Sequence, residues 1–235
     1  MTSERVARDV FLRKLGVERS YRPPALVRHP EWNFEPLLHL AVAYHLRRRP
    51  DFRFLQVGAF DGRANDAIQP LVRQFGLRGI VVEPQAQVLD ALQANYADQP
   101  QVALVNAAIA DTNGTRDFYT TAHGPIQQAS FSRTHLIKHG VSPSDIVSAR
   151  VRCVTIPSLL QEHGMDRCDL IQIDAEGSDY EIVRAVPFDT VKPLVIRFEH
   201  AHMTGDECAE CLELLVSHGF RFINERRDII ALREA

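Results

Sequence analysis

The 235-residue chain lacks several things, beginning with long apolar runs. None approaches the ~20 residues that a membrane-spanning helix needs, so no span and no membrane partner are expected. The opening stretch, MTSERVARDVFLRKLGVER, has no apolar core of the kind a secretory signal carries. Cysteine is scarce too. Four in a chain of this length do not make a disulfide scaffold, and a reducing cytoplasm is the expected location. An excess of either charge is also missing: 27 Lys and Arg stand against 30 Asp and Glu, a net of -3. A protein living on nucleic-acid phosphates or anionic lipid would show a basic excess, so neither is expected as a partner. There is no internal repeat and no low-complexity tract. What remains, 45% hydrophobic and 24% charged, is the composition of a soluble globular protein. Its length allows one large α/β domain or two small ones. The 10 His exceed what composition alone explains.

The first fifty residues differ in texture from the rest. Val6, Val10, Phe11 and Leu15 fall at helical spacing over residues 4–16, with Gly16 as a stop. Pro23, Pro24, Pro30 and Pro36 break residues 21–36 into an irregular connection. Leu37, Leu38, Leu40, Ala41, Val42, Tyr44 and Leu46 predict a second helix with a broad apolar face. The basic run Arg47-Arg48-Arg49 reads as a cation cluster at its C-terminus, where it complements the helix dipole. Residues 1–50 are thus expected to be a helical extension. They are placed to cover a ligand or to pack on a second copy as a homodimer.

From residue 52 short apolar runs alternate with helical segments. FRFLQV (52–57), GIVVE (79–83), VALVNAAI (102–109), CDLIQID (168–174) and PLVIRFE (193–199) read as strands. Helices are expected over 65–75, 85–96, 178–186 and 206–219. Runs that are apolar almost throughout fit a parallel sheet covered on both faces, and the alternation predicts a doubly wound α/β fold. FRFIN, ERRD and IIALR close the chain as an antiparallel hairpin. DTNGTRDFYT (111–120) reads as a small hairpin, and the polar segment to residue 150 as an excursion of loop and helix above the sheet. RVRCVTI (150–156) is an extra strand followed by a short helix at PSLLQEHG.

In such sheets ligands bind at the carboxyl ends of the strands. The first strand runs into Gln56-Val57-Gly58-Ala59-Phe60-Asp61-Gly62, two glycines four residues apart. The dinucleotide fingerprint fails, because Phe60 stands where a second Gly would admit a pyrophosphate. No Gly-Lys-Ser/Thr follows to make a P-loop. The loop therefore suits a nucleoside without a phosphate chain, and Glu83 at the end of the second strand can accept hydrogen bonds from both ribose hydroxyls. A ribose clamp without a pyrophosphate site points to S-adenosylmethionine.

At these residues the sequence resembles the FkbM-type methyltransferases, a branch of the class I S-adenosylmethionine-dependent enzymes. The resemblance rests on VGAFDGRAND (57–66), GIVVEPQ (79–85), VNAAIAD (105–111), VTIPSLL (154–160), DLIQIDAEGSDYEIVRA (169–185) and RFEHAHM (197–203). The most specific block is similar to the family's K-I-D-x-E-G-x-E pattern, with Gln172 in place of Lys and Asp179 in place of the second Glu. Gln56 stands where an acidic residue often precedes the loop. The resemblance implies a Rossmann-like, mostly parallel seven-stranded sheet with a C-terminal antiparallel hairpin over 51–235, and an insertion or lid at about 112–150. It implies S-adenosyl-L-methionine as donor and S-adenosyl-L-homocysteine as product. The expected donor-binding residues are Gln56, Val57, Gly58, Ala59, Phe60, Asn65, Glu83, Pro84, Asn106, Ala107, Ala108 and Asp174, with the adenine at Asn106 and its neighbours.

Methyl transfer from a sulfonium needs positioning, desolvation and, for a hydroxyl acceptor, a base. Asp174 and Glu176 follow the fourth strand; Glu199, His200 and His202 follow the fifth. Adjacent strands would bring both groups over one crevice, with His202 or His200 as base and Asp174 or Glu199 orienting it. Ser130, Ser132, His135 and His139 lie in the expected lid and are assigned to the acceptor. The acceptor is read as a hydroxyl on a sugar, glycan or secondary metabolite. A metal-assisted or N-directed transferase, or a non-catalytic nucleoside-binding domain, stays open. Two carboxylates with one or two His would suit Mg or Mn with a diol. His135 and His139 share a helix face, but no nearby Cys supports zinc there, and no metal ligand set is assigned. Cys208 and Cys211 read as small residues on a helix face. His123, His135, His139, His200 and His202 all fall in segments expected to line one crevice.

Overall fold

A computed structural model describes residues 37–64 and 66–234. The helix expected over 4–16, the connection over 21–36 and Asn65 lie outside the described residues. The helix α1 (Leu37–Leu46) forms where the apolar spacing places it. Its buried face is a stripe, Leu38, Ala41, Val42 and His45, while Leu37, Leu40 and Tyr44 remain exposed, so the apolar face is narrower than expected. Beyond it, Arg48 donates to the Tyr44 carbonyl and Arg49 reaches the buried Asp169 at 2.5 Å.

The elements that follow are β1 (Arg53–Val57), α2 (Gln69–Phe75), β2 (Arg78–Val82), a 3-10 turn (Ala86–Val88) leading into α3 (Leu89–Asn95), β3 (Val102–Val105), β4 (Ala108–Ile109), β5 (Gly114–Thr121), α4 (Arg133–Lys138) and β6 (Ile146–Val154). Then come α5 (Ile156–Glu162), β7 (Leu170–Ile173), α6 (Asp179–Arg184), α7 (Phe188–Val191), β8 (Val195–Glu199), α8 (Gly205–Ser217), β9 (Arg221–Glu225) and β10 (Asp228–Leu232). A seven-stranded sheet has the order β3-β2-β1-β7-β8-β10-β9. The first five of these strands run parallel; β10 is antiparallel to both β8 and β9, which makes the expected terminal hairpin. The fold is therefore the doubly wound, mostly parallel α/β sheet read from the sequence.

Period-two alternation explains why the strands are apolar nearly throughout. Leu55, Ile80, Ile171 and Ile196 join one core with Leu159, Ile182 and Leu215 from α5, α6 and α8. Phe54, Val81, Leu170 and Val195 join a second with Leu38, Leu71 and Leu92 from α1, α2 and α3. Each strand buries both faces. One polar row interrupts the second face: Gln56, Gln172 and Arg197 are register partners across β1, β7 and β8. Arg197 donates to Gln172 at 3.2 Å and to Asp228 at 2.8 Å, which satisfies this half-buried guanidinium.

Three expectations are corrected. The third apolar run is two strands, because after β3 the chain turns at Asn106 and β4 leaves for a separate three-stranded sheet, β4-β6-β5. The Asn106 amide donates to the carbonyls of Glu83 and Pro84 at 2.8 and 3.0 Å, and this holds the turn. Residues 111–120 are not a local hairpin: β5 pairs antiparallel with the distant β6 over Gly114↔Cys153 to Thr121↔Ile146. The helix expected from residue 65 is first turned at Gln69, where Asp66 Oδ1 accepts from the N–H groups of Ile68 and Gln69. No helix among the described residues is long and apolar enough to cross a membrane.

Candidate active site

The chain order reverses between β1 and β7: from β1 it builds outward to β2 and β3, then returns to lay β7 and β8 on the other side. Loops leave such a switch point in opposite directions and open a crevice at the carboxyl ends. A cleft of about 910 Å³, counting the solvent at its mouth, lies there. Its walls include Gln56, Val57, Gly58, Ala59 and Phe60 from the loop after β1, Glu83 and Pro84 after β2, and Ala107 and Ala108. Asp174 and Glu176 come from the loop after β7.

The loops are locked to each other. Gly58 donates to the Val82 carbonyl at 3.0 Å and Asp174 to the Val57 carbonyl at 2.9 Å, which extends the ladders past the strand ends. Gly58 has φ +76, and a side chain there would run into the Asp174 carbonyl, so only glycine fits. Phe60 (φ 48) and Glu176 (φ 45) hold left-handed backbone without being glycine, one in each wall. Such strain persists where the surroundings enforce it, and it gathers at functional sites. The Glu83 carboxylate does part of that enforcing. It accepts from Phe60 N and from Gln85 N, both at 2.8 Å, and is only 3% exposed. Each carboxylate oxygen keeps a second lone pair for a ligand hydroxyl.

Negative groups crowd this edge. Burial, followed by the charge of Glu199, raises the Asp174 carboxyl above its ordinary range. Burial and then Asp174 and Glu199 push Glu176 up to about 7. Burial raises Asp179 well above the usual value, with Asp174 and Glu199 adding to it. A cationic ligand would relieve all three.

The structure brings most of the expected residues together, but not all. His202 stands behind Glu176, its Nε2 3.2 Å from Glu199 and 3.6 Å from Glu176. His135 Nε2 lies 3.2 Å from Glu176. The rings of His135, His139 and His202 sit 4.4 to 5.0 Å apart, centroid to centroid. Burial, then the neighbouring imidazoles and Lys138, lowers His135 to about 4. His202 is lowered by burial, then by His139 and Arg227. His200 turns away, its Nε2 3.0 Å from the Arg226 carbonyl, and His123 faces Asp145 at 3.7 Å. The two therefore do not join the crevice. Asn106 is spent on its turn and does not line the cleft, although Ala107 and Ala108 do. Ser130 donates to the Glu176 carbonyl at 2.8 Å, and Ser132 caps α4 by accepting from His135 N. These serines build the wall instead of facing it. The insertion contributes Phe118, Gln127, Ala129 and Phe131 to the lining.

Sequence reasoning missed Asp66, Gln85 and Gln172, which also line the cleft. Gln85 ties the insertion down, donating to the Ile126 carbonyl at 3.0 Å and accepting from Ile126 N at 3.2 Å. Asp66, Gln85 and Gln172 each stand inside a matching block, which is the signal that could have found them.

With this geometry in hand, comparisons give the following. The profile of the methyltransferase FkbM domain matches residues 56–222. Similar solved structures include methyltransferase FkbM from Methylobacillus flagellatus KT, at 15% identity and TM-score 0.47, covering 77% of this chain and 44% of that one. The chain thus spans less than half of that protein's length. An O-methyltransferase from Bacillus cereus in complex with SAH is 12% identical with TM-score 0.46, and 97% of each chain is covered. Precorrin-6y C5,15-methyltransferase from Geobacter metallireducens GS-15 is 14% identical with TM-score 0.45, covering 86% and 90%. No curated protein matches the chain.

Proposed function

Because the chain belongs to the family of methyltransferase FkbM domains, we propose that it transfers a methyl group from S-adenosylmethionine to a hydroxyl of a sugar, glycan or secondary metabolite. The observation that carries this reading is the meeting of Gly58, Glu83, Asp174 and Glu176 in one cleft at the switch point. The chemistry of the cleft fits the donor. Glu83 offers carboxylate lone pairs to two vicinal hydroxyls, and Val82, Ala107, Ala108 and Ile109 offer an apolar surface for a base. The negative edge at Asp174 and Glu176 favours a sulfonium and an ammonium.

When bound, the donor supplies a methyl already activated for displacement, so the chain's task is placement and proton removal. Glu176 is the carboxylate on the cleft wall beside two imidazoles, and in this reading it accepts the acceptor's proton as the new O–CH3 bond forms. Bound in this cleft, S-adenosylmethionine would supply the methyl and would be left as S-adenosylhomocysteine. His135, whose Nε2 is 3.2 Å from its carboxylate, orients Glu176. The near-neutral charge of the chain favours a small neutral acceptor over a nucleic acid. Transfer of labelled methyl to a panel of sugars and hydroxylated metabolites tests this reading. Glu176→Gln should lower turnover about 100-fold or more while donor affinity stays near wild type. Unchanged turnover in that variant, or no transfer to any hydroxyl by donor-bound protein, would contradict it.

A further inference from the structure

The histidine cluster at the rim of the cleft is not used by the methyl-transfer reading, apart from the support His135 gives Glu176. His135 lies on α4 and His139 is its C-terminal cap residue, four positions on, and their rings lie 4.4 Å apart. His202 comes from the loop after β8 and completes the group. The nearest ring nitrogens of all three lie within 4.8 Å of one another. A tetrahedral ion bound at ~2.05 Å would hold its ligands about 3.4 Å apart, so small side-chain rotations of the kind found at such sites close the difference. Three imidazoles this close cannot all carry protons without strong repulsion, and the neutral ring is the form that binds metal.

The surroundings are acidic. Glu176 Oε2 is 3.2 Å from His135 Nε2 and 3.6 Å from His202 Nε2, and Glu199 is 3.2 Å from His202. Two cations stand nearby: Lys138, whose charge acts on His135, and Arg227, which pairs with Glu199 at 2.6 Å and donates to His202 Nε2 at 3.2 Å. The Arg227 side chain is 63% exposed and can yield its place. The cluster therefore combines three nitrogen ligands and nearby carboxylates with an exposed, displaceable Arg227.

We propose that His135, His139 and His202 bind a divalent ion of the zinc class, with Glu176 beside the fourth position. Imidazole donors suit zinc, nickel and copper, and disfavour the hard oxygen-seeking ions magnesium and calcium. Three protein ligands with one position left open is the arrangement of zinc sites that bind water or substrate. The ion would tie α4 of the insertion to the loop after β8, and Glu176 would connect it to the cleft. This inference does not rest on the methyl donor, because the ligands and the test concern the ion alone.

The test uses the full chain stripped with a chelator and titrated with ZnCl2 by calorimetry and with CoCl2 by visible absorption. One ion per chain is expected, with the strong visible bands of tetrahedral Co(II). His139→Ala, at an exposed position that the fold tolerates, should weaken binding about 100-fold, and His202→Ala should do the same. Cys208→Ser should leave the affinity unchanged. The proposal fails if no ion binds, if both His variants bind as wild type does, or if Cys208→Ser abolishes binding.

Discussion

The two ends of β7 hold an acid each, and the two acids have opposite surroundings. Asp169, just before the strand, is fully buried and fully answered: it accepts from Arg49 at 2.5 Å, from Arg53 N at 2.8 Å and from Arg167 at 3.4 Å. Asp174, just after the strand, faces Glu199 and Glu176, and its carboxyl is raised. The amino end closes its electrostatics within the protein, whereas the carboxyl end leaves a negative excess turned toward a cleft. Charges already matched serve stability, and charges left unmatched are available to a ligand. The contrast is the reason the proposed function is assigned to the carboxyl edge of the sheet.

Removing the acid at the matched end should have the largest effect on stability. Asp169→Ala leaves the Arg49 guanidinium and the Arg53 N–H without their acceptor, while Arg167 keeps Asp51, and should cost about 3 kcal/mol in urea unfolding. Donor affinity should stay within about 2-fold. A large loss of affinity in folded protein would mean the two ends are not independent. At the other end the balance should invert. Glu83→Ala removes two charge-assisted hydrogen bonds and the ribose acceptor, so S-adenosylmethionine should bind about 10- to 100-fold more weakly. Its loss of stability should be smaller than that of Asp169→Ala, and equal affinity would show that the ribose assignment is wrong.

The smallest effect is one of pH. Burial, then Asp174 and Glu199, raises the folded-state pKa of Asp179. A raised carboxyl contributes its stability below the unfolded value near 3.8 and loses it as pH rises through the folded value. Chelator-treated wild type should therefore lose stability relative to Asp179→Asn as pH increases from about 4 toward 8. A difference that stays flat or reverses would break the account of a charge-crowded edge.

The strands of the large sheet were legible because each buries both faces, and a two-sided apolar run leaves a plain signature in sequence. The Gly58 turn and Glu83 were legible for a local reason as well, since each directly follows the last residue of its own strand. What escaped depended on distant partners. Nothing local in residues 111–120 announces that β5 pairs with β6, more than twenty residues on. The break at Asn106 depends on two carbonyls of another loop. Ser130 and Ser132 looked like acceptor contacts, yet their hydroxyls meet a backbone carbonyl and a helix end. The grouping of His135, His139 and His202 could be read in advance from helical spacing and strand order, whereas the departure of His123 and His200 could not, because their partners, Asp145 and the Arg226 carbonyl, come from the fold.

The central claim is that the unmatched edge is a donor site. Calorimetric titration of the full chain with S-adenosylmethionine tests it most directly, with Glu83→Ala and Asp169→Ala run alongside. One site per chain is predicted, weakened in Glu83→Ala and retained in Asp169→Ala. Folded wild-type protein that takes up no S-adenosylmethionine would contradict the account.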